Sequence, residues 1–220
     1  MVKQALNFPV GAWISLLDKT FSLFDAISSD GFEIPRWSMG GGTVLMFYYA
    51  HRKSKDIDIF LPDPQFLAYI NPRTGGRGEK ITSEYKDATE YVKLFLPEGE
   101  IDFVASSTLT KNPFEEHEVL GRKILLETPV EIVAKKIWHR GDRATPRDLL
   151  DLALVIEHHH SQILEHREIF TRNIESFCKQ CESRKSIMLP AFDAIEKIDF
   201  NLSFDACLER VNMLKKDLQK

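Results

Sequence analysis

The sequence has little cysteine and no long apolar run. Three of its 220 residues are cysteine, an odd number too small for a disulfide framework and typical of thiols in a reducing compartment. The N-terminal residues contain no apolar run of secretory length, and no stretch approaches the roughly 20 apolar residues that span a membrane. These absences exclude a disulfide-stabilised secreted domain and predict a cytoplasmic protein without a membrane segment.

An excess of positive charge is also missing. Lysine and arginine total 29 against 33 aspartate and glutamate, so the formal net charge is −4, and no global basic field indicates nucleic-acid binding. The hydrophobic share of 43% and the charged share of 28% are near globular averages, which excludes a disordered or collagen-like chain. A polyanionic substrate would therefore have to be held by a local cluster of charge.

Hydrophobic spacing divides the chain into two predicted parts. Within residues 1–127 the pattern predicts an amphipathic helix over 13–27, a short buried helix opening at Thr43, and strands over 32–39, 56–61, 91–96 and 101–104. After about residue 128 the pattern is helical, with starts at Pro129 and at Thr145-Pro146. We therefore predict an α+β fold, in which a core domain of residues 1–127 carries a small mixed sheet with helices. A helical bundle over residues 128–220 is the predicted second domain.

Three aspartates are candidates for a metal site. Asp56 and Asp58 lie two residues apart in one predicted strand, so their side chains leave the same face with Cα atoms about 6.6 Å apart. Strand pairing would bring Asp102, in a later predicted strand, beside them. Three converging carboxylates suit two Mg²⁺ ions roughly 3.5–4 Å apart, which would hold an NTP triphosphate and activate an incoming hydroxyl. A pair of solvent-facing acids on a half-exposed strand is the alternative interpretation of Asp56 and Asp58.

A run of three glycines, residues 40–42, precedes the short helix that opens at Thr43. Glycine allows close backbone approach, and a helix N-terminus offers free N–H groups to a phosphate. The alternative is a tight turn that needs glycine only for a positive φ.

Two stretches of the sequence resemble a known family. Gly41-Gly42-Thr43, followed after twelve residues by Asp56-Ile57-Asp58, resembles the signature of the nucleotidyltransferases of the AbiEii/AbiGii toxin family, which includes the MenT-like toxins of type IV toxin–antitoxin pairs. The stretch from Glu131 through Asp151 is similar to that family's lysine motif and its Arg-Asp-x-x-Asp motif. The two matches span about residues 37–154. The resemblance implies a polymerase-β-like nucleotidyltransferase core, to whose site the helical C-terminal part contributes the second pair of motifs.

The resemblance also implies roles for individual residues. Asp56 and Asp58 would be metal ligands, with Asp102 as third ligand or base. The implied nucleotide-binding residues are Gly41, Gly42, Thr43, Lys136, Arg143 and Arg147, with Lys136 as the phosphate clamp. Asp148 would build the opposite wall of the catalytic site. Lys135 is adjacent, so the assignment to Lys136 depends on register, and cations near a helix C-terminus also have a purely structural use.

The activity that the resemblance implies is transfer of a nucleoside monophosphate from an NTP to a macromolecular acceptor, with release of pyrophosphate. The tRNA 3′ end is the favoured acceptor, and a cognate antitoxin is the implied protein partner. Two alternatives stay open: the same chemistry on a small molecule or a protein hydroxyl, and a non-catalytic nucleotide-binding module. The negative net charge suits a small cationic acceptor somewhat better than tRNA.

Other features have competing interpretations. The basic segment 51–55 is either a solvated loop or a screen for triphosphate or tRNA, and the basic, glycine-rich loop that starts at residue 71 is either a loop tip or a substrate lid. The histidines at 158–160 are predicted to be a solvated helix end, because successive helix residues point in different directions. The three cysteines are predicted to lie in the helical core.

Overall fold

One mixed sheet organises the N-terminal part of the protein. The structure is a computed structural model and describes residues 6–220. The strands are β1 (Ser38–Gly40), β2 (Ile57–Leu61), β3 (Tyr85–Ala88), β4 (Tyr91–Leu96), β5 (Gly99–Ala105), β6 (Phe114–Val119) and β7 (Arg122–Glu127). They lie in the order β3-β4-β5-β2-β1-β7-β6. β2 is parallel to β5 and β1 is parallel to β7, whereas the other neighbours are antiparallel.

Helices pack on this sheet and then form the rest of the chain. They are α1 (Trp13–Ser29), α2 (Gly41–Tyr49), α3 (Leu67–Ile70), α4 (Pro129–Arg140), α5 (Pro146–Leu164), α6 (Arg167–Ser183), α7 (Lys185–Asp193) and α8 (Phe204–Leu218). α1 contacts β2 and β5, while α2 contacts β1, β2, β7 and α4. α4 packs against α5 and α6, and α8 packs against both of those helices. Within residues 6–220 no helix is both long and apolar enough to cross a membrane.

Side-chain caps fix the starts of the two helices that carry the second family motif. Thr128 precedes α4, where its hydroxyl accepts a hydrogen bond from the Glu131 N–H, and Pro129 occupies the first turn. Thr145 and Asp148 form a reciprocal capping box at the start of α5. Such caps satisfy N–H groups that have no partner inside the helix. The starts predicted from the sequence are therefore confirmed.

The predicted fold class is confirmed, with corrections in detail. The strand expected over 32–39 is only β1, because Pro35 lacks an N–H group and residues 32–37 remain partly or fully exposed. Three strands were not predicted, β3, β6 and β7. β3 and β6 are the edge strands of the sheet, and β6 is largely charged, as expected for an edge exposed to water.

The predicted domain division falls in the short connection between β7 and α4. Residues 1–5 of the first predicted domain lie outside the described part of the chain. Buried apolar side chains from both halves form one continuous cluster, and the division at 127/128 stays a prediction.

The cysteines of the helical part lie in its core, and three consecutive histidines lie within α5. Cys178, Cys181 and Cys207 are buried free thiols, as predicted, and burial raises their pKa values to about 11, 12 and 11. The histidines at 158–160 lie at a kink in α5, where the backbone of His159 is non-helical and two helical segments join. One helical segment therefore ends there, as predicted, although only His158 of the three is exposed.

Candidate active site

The three predicted acids line one cavity. β2 and β5 are parallel neighbours, and their register places Asp58 opposite Asp102. Asp56 lies just before β2, where its Oδ1 accepts a hydrogen bond of 3.0 Å from the backbone N–H of Glu100. The cavity has a volume of about 870 Å³, and all three aspartates contribute to its wall. Sheet pairing therefore brings together carboxylates that are 44 residues apart in the chain.

Asp58 and Asp102 have few hydrogen-bond donors. Asp58 accepts none from residues 6–220, and burial raises the pKa of its carboxyl. Asp102 Oδ1 is buried without a partner in the described chain, and burial, together with the charge of Asp58, raises the pKa of Asp102 to about 6. Buried carboxylates are normally hydrogen-bonded or paired. Two facing carboxylates that are neither fully hydrogen-bonded nor fully paired would be stabilised by a cation.

The donor set fits a divalent cation, although it is not arranged as a closed site. In residues 6–220 no three His, Cys, Asp or Glu side chains are grouped closely enough to hold a metal ion. A cation of the protein itself, Lys93, which the sequence did not indicate, already pairs with one of the acids. Its Nζ lies 2.8 Å from Asp102 Oδ2 and 2.5 Å from Glu100 Oε2. Carboxylate oxygens are the ligands that Mg²⁺ prefers, and Lys93 would have to leave Asp102 for an ion to take its place.

Each residue of the glycine run stands against one side chain of the site. A Cβ atom would lie 2.3 Å from Glu127 Oε2 at Gly40, 1.8 Å from Asp58 Oδ2 at Gly41, and 2.3 Å from an Nη atom of another side chain, Arg52, at Gly42. Real Cβ atoms do not approach other atoms this closely. The N-terminus of α2 can therefore reach the carboxylates only because residues 40–42 carry no side chain.

The opposite wall of the cavity is basic. Lys136, on α4, has its Nζ 2.6 Å from Asp148 Oδ1 and 2.9 Å from Asp151 Oδ2. Burial would lower the pKa of Lys136, but these two carboxylates raise it above its usual value, so the ammonium group is charged at neutral pH. The other basic residues that line the cavity are Arg52, Lys93, Lys135, Arg140, Arg143 and Arg147.

The segment 51–55 is only partly a solvated loop: Lys53 and Lys55 are exposed, whereas its first two residues are buried. Arg52 Nε and Nη2 donate hydrogen bonds of 2.8 and 2.9 Å to the two carboxylate oxygens of Asp151. His51 Nε2 lies 2.8 Å from Asp151 Oδ1, and burial lowers the pKa of His51. Burial would raise the pKa of Asp151, but Arg52 and Lys136 hold it well below its usual value. Asp151 is thus an ionised, fully buried centre shared by three side chains.

The chain matches the sequence model of the nucleotidyl transferase AbiEii toxin family, a type IV toxin–antitoxin system, over residues 23–217. This protein belongs to the AbiEii toxin family. The resemblance found in the two motifs is therefore confirmed, and family membership makes the chain a nucleotidyltransferase, with an NTP substrate and an antitoxin partner implied.

Two solved structures are similar to this chain. A Helicobacter pylori protein solved as a candidate nucleotidyltransferase is similar, with 12% identity, a TM-score of 0.48, and coverage of 96% of this chain and 98% of the other. JHP933 from Helicobacter pylori is also similar, with 12% identity, a TM-score of 0.46, and coverage of 96% and 95%. No curated protein matches the chain.

Two residues of the AbiEii motifs have mainly structural contacts. Asp148 Oδ2 accepts hydrogen bonds from the N–H and the hydroxyl of Thr145, and its Oδ1 holds Lys136. Thr43 is fully buried, and its hydroxyl lies 2.5 Å from the backbone oxygen of Asp56. The Thr43 side chain is not part of the cavity wall, so only its backbone N–H, in the first turn of α2, is left for a phosphate. Asp148 positions Lys136, and Thr43 positions the segment that carries Asp56.

The glycine-rich loop does not cover the site. Arg73 pairs with Asp87, and Arg77 pairs with Asp30. No residue between 71 and 80 lines the cavity. The structure therefore favours the loop-tip interpretation over a substrate lid.

Gly41→Ala is expected to lower transferase activity by roughly 10²-fold or more, because the new methyl group would displace Asp58 from its position in the site. Gly75→Ala is the matched control: both glycines have a positive φ, +71° and +76°, but a Cβ on Gly75 would meet nothing within 4 Å. Each variant should lose roughly 1–2 kcal/mol of stability for its left-handed backbone. Urea unfolding and transfer rates measured on both proteins test this, and equal activity in the two would contradict it.

Glu127 is a buried carboxyl beside the acids of the site. Its Oε1 lies 2.5 Å from Lys135 Nζ and 3.2 Å from Ser38 Oγ, whereas Oε2 has no partner in the described chain. Burial, opposed by Lys135, raises the pKa of Glu127 to about 7. The folded protein therefore keeps a proton that the unfolded chain releases between its usual pKa of 4.5 and about 7.

The contribution of Glu127 to the stability of the protein should consequently fall as pH rises through this range and level off above about pH 7, since this carboxyl binds more protons in the folded state than in the unfolded state there. Glu127→Gln should remove this component, which is worth roughly 2–3 kcal/mol between about pH 4.5 and about pH 8. Urea unfolding of wild type and variant at both pH values measures the difference. An identical pH dependence in the two proteins would show that Glu127 titrates normally.

Proposed function

We propose that this AbiEii toxin uses Mg²⁺ to transfer a nucleoside monophosphate from an NTP to the 3′ end of tRNA, releasing pyrophosphate. The observation that carries the proposal is the pair Asp58 and Asp102, which face each other on parallel strands with few hydrogen-bond donors and open onto a cavity with a basic far wall. This arrangement suits a triphosphate bridged to carboxylates by cations.

The residues divide into those that would hold the metal and those that would hold phosphate. Asp56, Asp58 and Asp102 would hold Mg²⁺, as two ions, which when bound neutralises phosphate charge and lowers the pKa of the acceptor hydroxyl. The N-terminus of α2, which carries partial positive charge, lies at the cavity with Gly41 and Gly42. The N–H groups of these two residues would bind phosphate oxygens. We propose that the cationic contacts on the other side come from Lys136, Arg143 and Arg147.

Asp102 is the proposed third ligand or base. Its raised pKa, about 6, leaves it mainly ionised at neutral pH yet close enough to neutrality to accept a proton from a hydroxyl. Oδ1 is the atom available for that proton, because Oδ2 is paired with Lys93.

An RNA acceptor is supported by the rim of the cavity. Arg140 and Arg143 have side chains that are 53% and 75% exposed, and Arg147 forms no ion pair within residues 6–220. Together they place three guanidinium groups at the turn between α4 and α5, where a phosphate backbone would meet them. This local basic surface counters the objection that the net charge is negative.

Incubation of the protein with Mg²⁺, each α-labelled NTP in turn, and total RNA and protein tests the proposal. Label is expected on tRNA, and it should vanish in an Asp56→Ala, Asp58→Ala variant and on chelation of Mg²⁺. Transfer should also weaken steeply with salt, because neutralised phosphates release counterions. Label on protein or on a small molecule would show that the acceptor is not tRNA. No label on RNA, protein or a small molecule would refute the proposed reaction.

A further inference from the structure

Arg52 belongs to the cavity wall although it is nearly inaccessible. Its residue exposure is 3%, yet it is one of the residues that line the cavity. Its guanidinium group stands over Gly42, where a Cβ would lie 2.3 Å from Nη2 and 3.3 Å from Nη1. Arg52 therefore lies against the first turn of α2, where the chain offers its free N–H groups.

Arg52 retains unused hydrogen-bond donors. A guanidinium group has five N–H donors, and three are used: Nε and Nη2 bond to Asp151, and Nη1 bonds to the backbone oxygen of Lys53. One N–H on each Nη atom is left without a partner in residues 6–220. A buried charged group whose remaining donors face a cavity is suited to bind an anion.

The same carboxylate orients a second cation. Asp151 Oδ2 accepts a hydrogen bond from Arg52 Nη2 and another, of 2.9 Å, from Lys136 Nζ. The two cations come from segments 84 residues apart, before β2 and on α4, and one buried carboxylate holds both in fixed positions beside α2. Arg52, beside Gly42, and Lys136 are therefore a fixed pair of positive charges on the wall of one cavity, and Arg52 is outside the family motifs recognised in the sequence.

We propose that Arg52 binds the triphosphate of the NTP, through its free Nη donors, together with Lys136 and the N-terminus of α2. Asp151 is a positioning residue in this arrangement, since it aims both cations and stays out of the cavity wall itself. This inference rests on the proposed function and deepens it by adding a phosphate-binding residue. It also explains the glycine at position 42, which leaves room for a guanidinium group directly against the helix end.

The test compares changes to two side chains, Arg52 and His51, that bind the same buried carboxylate. Arg52→Lys keeps a positive charge beside Asp151 but loses the second arm that reaches the phosphate, and Arg52→Gln loses the charge as well. His51→Leu is the control, because it removes a hydrogen bond to Asp151 Oδ1 from a residue that does not line the cavity.

Affinity for each NTP and for the matching nucleoside is measured by calorimetry, and NTP-induced shifts of Tm are read against each variant's own unliganded Tm. The Arg52 variants should bind NTP roughly 10- to 100-fold more weakly, the loss expected for hydrogen bonds to a charged group. Their affinity for the nucleoside should be unchanged. His51→Leu should lower Tm while leaving NTP affinity within about 2-fold of wild type.

Equal loss of NTP affinity in His51→Leu and the Arg52 variants would overturn the inference, because Arg52 would then act only through Asp151. Unchanged NTP affinity in Arg52→Lys and Arg52→Gln would overturn it as well. Absence of NTP binding by the wild-type protein is a different result, since it refutes the proposed function rather than the role of Arg52.

Discussion

Asp58→Asn is expected to reduce nucleotide transfer by at least roughly 10³-fold, because the variant loses the charge that the proposed metal and triphosphate binding require. The amide keeps the size and shape of the side chain, so loss of activity would not reflect a new cavity or a clash. Asp18→Asn is the matched control: it makes the same chemical change on the exposed face of α1, outside the cavity, and should retain full activity.

The same variant should be more stable than the wild type. Burial raises the pKa of Asp58, and its charge contributes to the raised pKa of Asp102, so the ionised pair opposes folding at neutral pH. Removing one charge should raise Tm by about 2–4 °C, the shift that corresponds to about 1 kcal/mol in a protein of this size. Higher stability with no activity is the signature of a functional carboxylate. Retained activity, or a lower Tm, would contradict the role given to Asp58.

The strands that carry the acids could be predicted because their sequence alternates. Asp58 and Phe60 face the cavity, and the residues between and beside them, Ile57, Ile59 and Leu61, are fully buried. That period of two defines a strand and its polar face without any knowledge of its neighbours. The pairing with β5 followed from a second alternating run, and the structure confirms that Asp102 comes beside Asp58.

Edge strands gave no such signal. β6 contains Glu115, Glu116 and Glu118, since the strand pairs on one side only and lies partly in water. Its partner, β7, was hidden because its apolar residues come in a short run that does not alternate. A strand shows alternating apolar and polar residues only when one of its faces is buried and the other is exposed. A strand with little burial, or with both faces buried, has no such period of two in its sequence.

The burial of two side chains of the basic segment 51–55 could not be predicted, for a different reason. His51 and Arg52 lie in a run of polar residues, which by composition indicates a solvated loop, and the partner that buries them is about 100 residues away. Nothing local distinguishes a buried charge from an exposed one, because burial is decided by a long-range partner. The signal that existed was Asp151 itself, which with Asp148 is one of two acids in a helix, α5, whose other buried residues are apolar.

Asp151→Ala is therefore expected to have the largest effect on stability of any single change at the site. It would leave Arg52, His51 and Lys136 without a carboxylate that all three contact, and unpairing buried ions costs roughly 3–5 kcal/mol. Asp25→Ala is the control, since Asp25 forms a similar two-bond pair with Arg122 at the surface, where such pairs contribute at most about 1 kcal/mol. Urea unfolding of both variants measures the contrast.

The loss of stability in Asp151→Ala should come from the buried cations that remain without a partner, rather than from the lost attraction between Asp151 and those cations. Arg52→Met combined with Asp151→Leu removes a cation together with its carboxylate, while Lys136 keeps Asp148 as its partner. The double variant should consequently be more stable than Asp151→Leu alone, since a buried pair replaced by apolar side chains is often neutral in stability. It should still bind NTP poorly, because both the cation and its support are gone. A double variant as unstable as the sum of the two single changes would show that the network stabilises the fold by itself, rather than being kept to position charge for the substrate.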